Sequence, residues 1–256
     1  MVRRMIAPSA AARPAFPNVS FGPFRLLEAV PWLLVAATMR VIAFASGLIA
    51  LPAIMLANIA LLLAFVIVTW RMVLATDGRS GLGLLGLSQQ IGMARAVLPP
   101  IFGVLMAATV VAAVTGLTGR PGEFMLGFDG IAFDQASHAG RLWSALVAAL
   151  VLLMVLQVDE AKKPSLLTAM RRFRDHARWL VPGVLLVAAL AVLLHPLQGY
   201  VRGLVVQMWQ QSELPISVKS LLSMVFIFSF ATVRLWLTVA ILVFALRQSY
   251  RARACS

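Results

Sequence analysis

Two arginines, Arg40 and Arg234, stand inside long apolar runs, and their placement invites chemistry more than that of any other residue. A guanidinium is a permanent cation whose planar fork of donors suits phosphate and carboxylate. At mid-membrane it costs about 2.5–3.5 kcal/mol on insertion scales, so it turns toward the bundle interior or toward water. No acidic residue sits at matching depth in an apolar run. The partners on offer are backbone carbonyls, Asn58, Gln157, Glu28 after snorkelling, or an anionic ligand. Arg234 and Arg40 are therefore candidate intramembrane anion or lipid contacts. The plainer alternative is a tilted helix whose long side chain reaches the interface. That alternative is favoured for Arg40, which lies close to Ser46, and weighs evenly for Arg234.

A second group of arginines lies between apolar runs. Over residues 165–179, Leu166, Met170, Phe173 and Ala177 share one helical face, and Arg171, Arg172, Arg174 and Arg178 lie around the other. Pro164 and Ser165 offer a helix start. Such a helix belongs at a membrane interface, where each basic residue is attracted to anionic lipid by about 1 kcal/mol. These four arginines are candidate interfacial lipid contacts, and a topology anchor without a specific ligand is the plainer reading. Residues 197–209 repeat apolar side chains at i, i+3, i+4 and i+7 spacing, which predicts an external helix lying on the membrane or capping the bundle.

Other spacings fail their context. Gly81, Gly83 and Gly86 match the G-x-G-x-x-G dinucleotide fingerprint, but that loop works only between a strand and a helix, and here it follows an apolar run. Asp134 and His138 are four apart and would share a helical face as metal ligands, yet one histidine among scattered carboxylates reads more simply as a solvated loop. There is no nucleophile elbow, P-loop, HExxH or CxxC, and Cys255 is the single cysteine. No catalytic residue, metal site or cofactor is expected.

The elements that must position these residues follow from composition. Hydrophobic residues make up 61% of the 256 and charged residues 12%, with a mean hydropathy of +0.94. An ordinary soluble domain carries about 25% charge, so this chain lacks the polar surface to cover a globule. Low charge and a single cysteine equally exclude a disordered chain and a disulfide-stapled module. A polytopic membrane protein remains. Its formal net charge of +13 reports orientation, and no nucleic-acid partner is expected.

A crossing needs about 20 apolar residues. The apolar runs predict spans near residues 28–47, 51–72, 96–117, 142–158, 179–197 and 221–246, with a turn at Gly47 and Pro52 dividing the first two. The rival division keeps 41–70 as one long helix. Cytoplasmic loops collect Lys and Arg, and this rule decides between the two. With six spans and both termini inside, four arginines fall in the N-terminal tail, three in the first inner loop, six basic residues in the second and three in the C-terminal tail. Only Arg120, Arg141, Arg202 and Lys219 fall outside. The best five-span arrangement separates them far less cleanly. Trp32, Trp70, Trp143 and Trp179 mark span ends, where an indole prefers the headgroup level. Residues 1–20 are too short of apolar residues for a signal peptide and are expected to form a mobile cytoplasmic tail, with 251–256 a second tail.

The inner loops repeat a pattern. Ala94-Arg95 precedes Pro99 and a span, and Ala177-Arg178 precedes Pro182 and a span, both pairs 83 residues apart. A fainter copy runs from Arg25 to Pro31. The unit would be an interfacial segment, a proline in the first turn of a span and a return span, three times over. Trp70-Arg71 at a span end, the segment Ala169-Met170-Arg171-Arg172-Phe173-Arg174 and the closing residues 245–250 carry a likeness. The chain resembles YciC-type bacterial inner-membrane proteins and the membrane domains that accompany glycerophosphodiester phosphodiesterases, over residues 20–253. The resemblance implies six helices and no settled activity.

The expected architecture is an all-α bundle of six transmembrane helices with interfacial amphipathic helices and a threefold helix-pair repeat, a single membrane domain over residues 21–250 in a bacterial cytoplasmic membrane. The leading functional expectation is a non-catalytic membrane component that organises lipid or partner proteins, with anionic headgroups on the cytoplasmic side as partners. The competing one is a transporter or permease subunit for an anionic or amphipathic solute. A polar cavity at Arg234 would favour the second, and a packed environment the first.

Overall fold

The computed structural model describes residues 26–45, 49–76, 86–116, 122–125, 137–159 and 163–254. Among them the chain is all helix. Five helices are long and apolar enough to cross a membrane: α2 (Ala50–Thr76), α3 (Leu87–Thr115), α5 (His138–Asp159), α7 (Ala177–Gln211) and α8 (Ile216–Ala254). The others are α1 (Val30–Ala45), the single turn α4 (Gly122–Met125) and α6 (Leu166–Asp175). The protein is an all-α membrane bundle.

The sixth expected crossing, α1, is not confirmed among the described residues, which leave out 46–48 at its end. α1 has 16 residues, about 24 Å at 1.5 Å per residue, which is short of a hydrocarbon core of about 30 Å. The division after it is nonetheless where the prolines and glycines put it: α2 begins at Ala50, and Pro52 sits in its first turn, where a missing N–H costs nothing. One continuous helix over 41–70 is thereby excluded. The repeat does not carry through to the helices either. In the first unit the interfacial segment and the span are one helix, α3, which runs through Pro99 and Pro100, so Pro99 lies well past the first turn. In the second unit the chain breaks at His176 between α6 and α7. Residues 197–209 likewise form no separate helix and continue α7 through Pro196.

Helices that are apolar on every side belong in the middle of a bundle. Ala60 to Thr69 of α2 and Val147 to Gln157 of α5 are buried without interruption, so these two stretches form the centre. α5 packs against α2, α3, α4, α6, α7 and α8, while α1 lies on α2 and α8. The outer helices turn apolar side chains outward, Val114, Leu193 and Ile216 among the most exposed. In a membrane these meet lipid tails. Of Gly103, Ala107, Ala112 and Gly116, whose spacing suggests close helix packing, Ala112 is buried and the other three are exposed, and a Cβ on Gly103 or Gly116 would meet nothing within 4 Å.

Specific polar contacts fix which ends lie together. Glu28, just before α1, is buried and pairs with Arg71 near the end of α2, its carboxylate accepting from both Nε and Nη2. Trp32 Nε1 donates to Gln90 Oε1 at 3.0 Å, placing the start of α3 at the same end. At the opposite end Phe44 meets the ring of Trp209, 5.6 Å between centroids. Lys219 there donates to the carbonyls of Trp209 and Ser212 and so closes the last turn of α7.

Candidate functional site

α6 stands where it does because of two buried polar residues. Gln157, at the end of α5, donates from Nε2 to the Ser165 carbonyl at 3.3 Å and accepts from the Ser165 N–H at 2.8 Å. It therefore grips the backbone from which α6 begins, while the Ser165 side chain makes no capping bond of its own. At the other end of α6, His176 Nδ1 is 2.7 Å from Ser249 Oγ, and its ring lies 4.9 Å from that of Tyr250, so the α6–α7 corner is tied to α8. Gln157→Leu removes both bonds to Ser165, each worth about 1 kcal/mol. We expect amide exchange to accelerate across α6 while α5 stays protected; unchanged exchange in α6 would show that the grip is dispensable.

Held this way, α6 docks by Leu166, Ala169 and Phe173, of which Ala169 is wholly buried. Its free face is not purely polar. Leu167 and Met170 are exposed there beside the exposed Arg171 and Arg174, at spacings of three, four and seven residues from Leu167, and the exposed Arg178 follows on α7 beyond the break at His176. Arg172 is half-buried. Met170 thus leaves the packed face assigned to it by periodicity alone, and Ala169 takes its place. Apolar side chains ringed by arginine are the make-up of an interfacial lipid contact.

Just beyond α6, an apolar groove of about 450 Å³ opens between α7 and α8, lined by Trp179, Pro182, Trp236, Phe244 and others, with Gln248 among them. That volume falls within the range of ligand clefts. The helices come unusually close beside it: a Cβ on Gly183 would lie 2.9 Å from that of Ala245.

The two intramembrane arginines have different fates. Arg40 Nη2 donates to Asn58 Oδ1 at 2.8 Å, joining α1 to α2, one of the partners open to it from sequence. Glu28 is taken by Arg71 instead. Arg234 does something else. It lines a small cavity of about 40 Å³ enclosed by α2, α5, α7 and α8, and Arg141 of α5 lines it too. Arg141 had been expected in an outer loop, because it borders its apolar run; in fact it is 6% exposed and faces the bundle interior. Ser144 and Thr238 add hydroxyl groups to the same wall. The signal for this set was the pairing of each arginine with a hydroxyl one helical turn on, Arg141 with Ser144 and Arg234 with Thr238.

The remaining motifs gain no support. Gly81 and Gly83 lie outside the described residues, Gly86 precedes α3, and there is no strand among the described residues. Asp134 also lies outside them, and His138 is an exposed residue at the start of α5. Among the described residues no three His, Cys, Asp or Glu side chains converge. No family model matches the chain, and comparison with curated proteins and with solved structures finds no match.

Proposed function

We propose that this protein is a non-catalytic integral component of a bacterial cytoplasmic membrane that binds anionic phospholipid and thereby organises lipid or partner proteins around itself. The observation that carries this is the exposed face of α6, where Leu167 and Met170 sit among Arg171 and Arg174, with the exposed Arg178 following at the start of α7. The apolar pair enters the acyl boundary, the arginines bind headgroup phosphate, and the groove takes an acyl chain. The same end of the bundle carries Arg71, Arg247 and Arg251, so the positive-inside rule turns it to the cytoplasm, and both termini with it.

The test is retention of lipid by the purified protein in non-ionic detergent, read by native mass spectrometry after addition of phosphatidylglycerol or phosphatidylcholine. Wild type should retain phosphatidylglycerol preferentially. Changing Arg171, Arg172, Arg174 and Arg178 together to glutamine should weaken that retention by roughly a thousandfold, at about 1 kcal/mol per charge. Equal retention of the two lipids by wild type, or an unchanged preference in the variant, would defeat the reading. A second reading, a permease subunit for an anionic solute, is favoured by the cavity at Arg141 and Arg234.

A further inference from the structure

We infer that the cavity between α2, α5, α7 and α8 is an oxoanion site, in which Arg141 and Arg234 hold a phosphate-like or carboxylate group. This stands on different residues from α6 and its groove and does not depend on them.

Two like charges facing one small cavity oppose each other, and in a poorly solvated interior that opposition is strong. A bundle has no structural reason to place them so. Around Arg40 the same chain solves the problem with a neutral acceptor, Asn58, and around Arg71 with a carboxylate, Glu28. Around Arg234, among the described residues, it supplies neither. No Asp, Glu, Asn or Gln lines the cavity, and among the described residues no acceptor bonds the Arg234 guanidinium. The one buried carboxylate among the described residues, Glu28, is already engaged.

The lining is instead a donor set. Two guanidinium forks suit an oxoanion, each able to bond two of its oxygens. Ser144 and Thr238 can donate to it as well. The rest of the wall, including Leu61, Phe65 and Val187, is apolar and excludes water that would screen the charges. A volume of about 40 Å³ suits a small group, since one water needs about 10–15 Å³ on that scale. The occupant is therefore a free oxoanion or the head of a lipid that carries one, not a bulky solute.

Purified, delipidated protein in non-ionic detergent would be heated in chloride buffer and in buffer of equal ionic strength containing inorganic phosphate or sulfate. A second arm would use nanodiscs of phosphatidylglycerol or of phosphatidylcholine. Wild type should gain several degrees in Tm from the oxoanion if the ligand is free, or from phosphatidylglycerol alone if it is a headgroup. Arg234→Gln should abolish that gain and weaken oxoanion affinity at least about tenfold, as expected for loss of a charge-assisted contact. It should also raise the Tm of the empty protein, because one of two opposed charges is gone. Arg234→Lys, which keeps the charge but loses the fork, should retain only part of the gain, and Thr238→Val covers the case in which Arg234→Gln does not fold. If neither oxoanions nor phosphatidylglycerol stabilise wild type, or if they stabilise Arg234→Gln or Thr238→Val as they do wild type, the site is not there.

Discussion

Replacing Glu28 with alanine is expected to destabilise the bundle by about 3–5 kcal/mol, because it strands the Arg71 guanidinium in a place where little water can reach it. The two side chains are 6% and 10% exposed, and the Arg71 Nε lies 2.6 Å from the Glu28 carboxylate while Nη2 engages its other oxygen. The pair also holds the entry of α1 to the end of α2. That matters for a helix of 16 residues that depends on its contacts with α2 and α8. Unfolding in mixed detergent micelles would show the lowered midpoint. Replacing both residues by methionine should recover most of the loss, since an apolar pair of similar volume can substitute for a buried ion pair at little net cost. A wild-type midpoint for Glu28→Ala would mean that the ion pair does not tie α1 to α2.

The features that could be read from sequence are those set within a helix or a hairpin. The break between α1 and α2 was legible because Pro52 is suited to a first turn, and Asn58 was a foreseeable partner for Arg40 because a tight hairpin brings the two helices side by side. The arginine face of α6 was legible from periodicity, although not the exposure of Met170, which depends on how Gln157 seats the helix on α5. Hydropathy marks where apolar residues run but not where a helix starts. α3 begins at Leu87, well before its prolines, since losing two backbone N–H groups did not break a helix whose neighbours continue it. Hydropathy also cannot say which spans are central, because an apolar residue facing lipid and one facing protein look alike. Arg141 was misplaced for that reason. At the edge of its run it looked like an outer-loop charge, and only the packing of the first turn of α5 beside the middle of α8 brings it to Arg234.

The contact of α7 with α8 leads to the other large effect. In a helix interior, glycine costs about 1 kcal/mol relative to alanine, so Gly183→Ala would stabilise α7 if nothing stood nearby. The structure reverses the sign. A Cβ at Gly183 would lie 2.9 Å from the Ala245 Cβ, and neither atom can swing aside, because both are fixed to backbone. The two helices must separate by several tenths of an ångström, and the expected cost is about 1–3 kcal/mol for alanine and at the top of that range or beyond for leucine. Ala245→Gly makes room on the other side, so Gly183→Ala with Ala245→Gly should fold nearly as well as Ala245→Gly alone. That coupling, measured as a double-mutant cycle in unfolding midpoints, separates a helix-contact effect from a propensity effect, which would simply add. Gly183 also lines the α7–α8 groove, so the same separation should lower the preference for phosphatidylglycerol in Gly183→Ala and return it in the double variant. Stabilisation by Gly183→Ala alone would show that α7 and α8 do not approach here, and the groove between them would lose its shape with that contact.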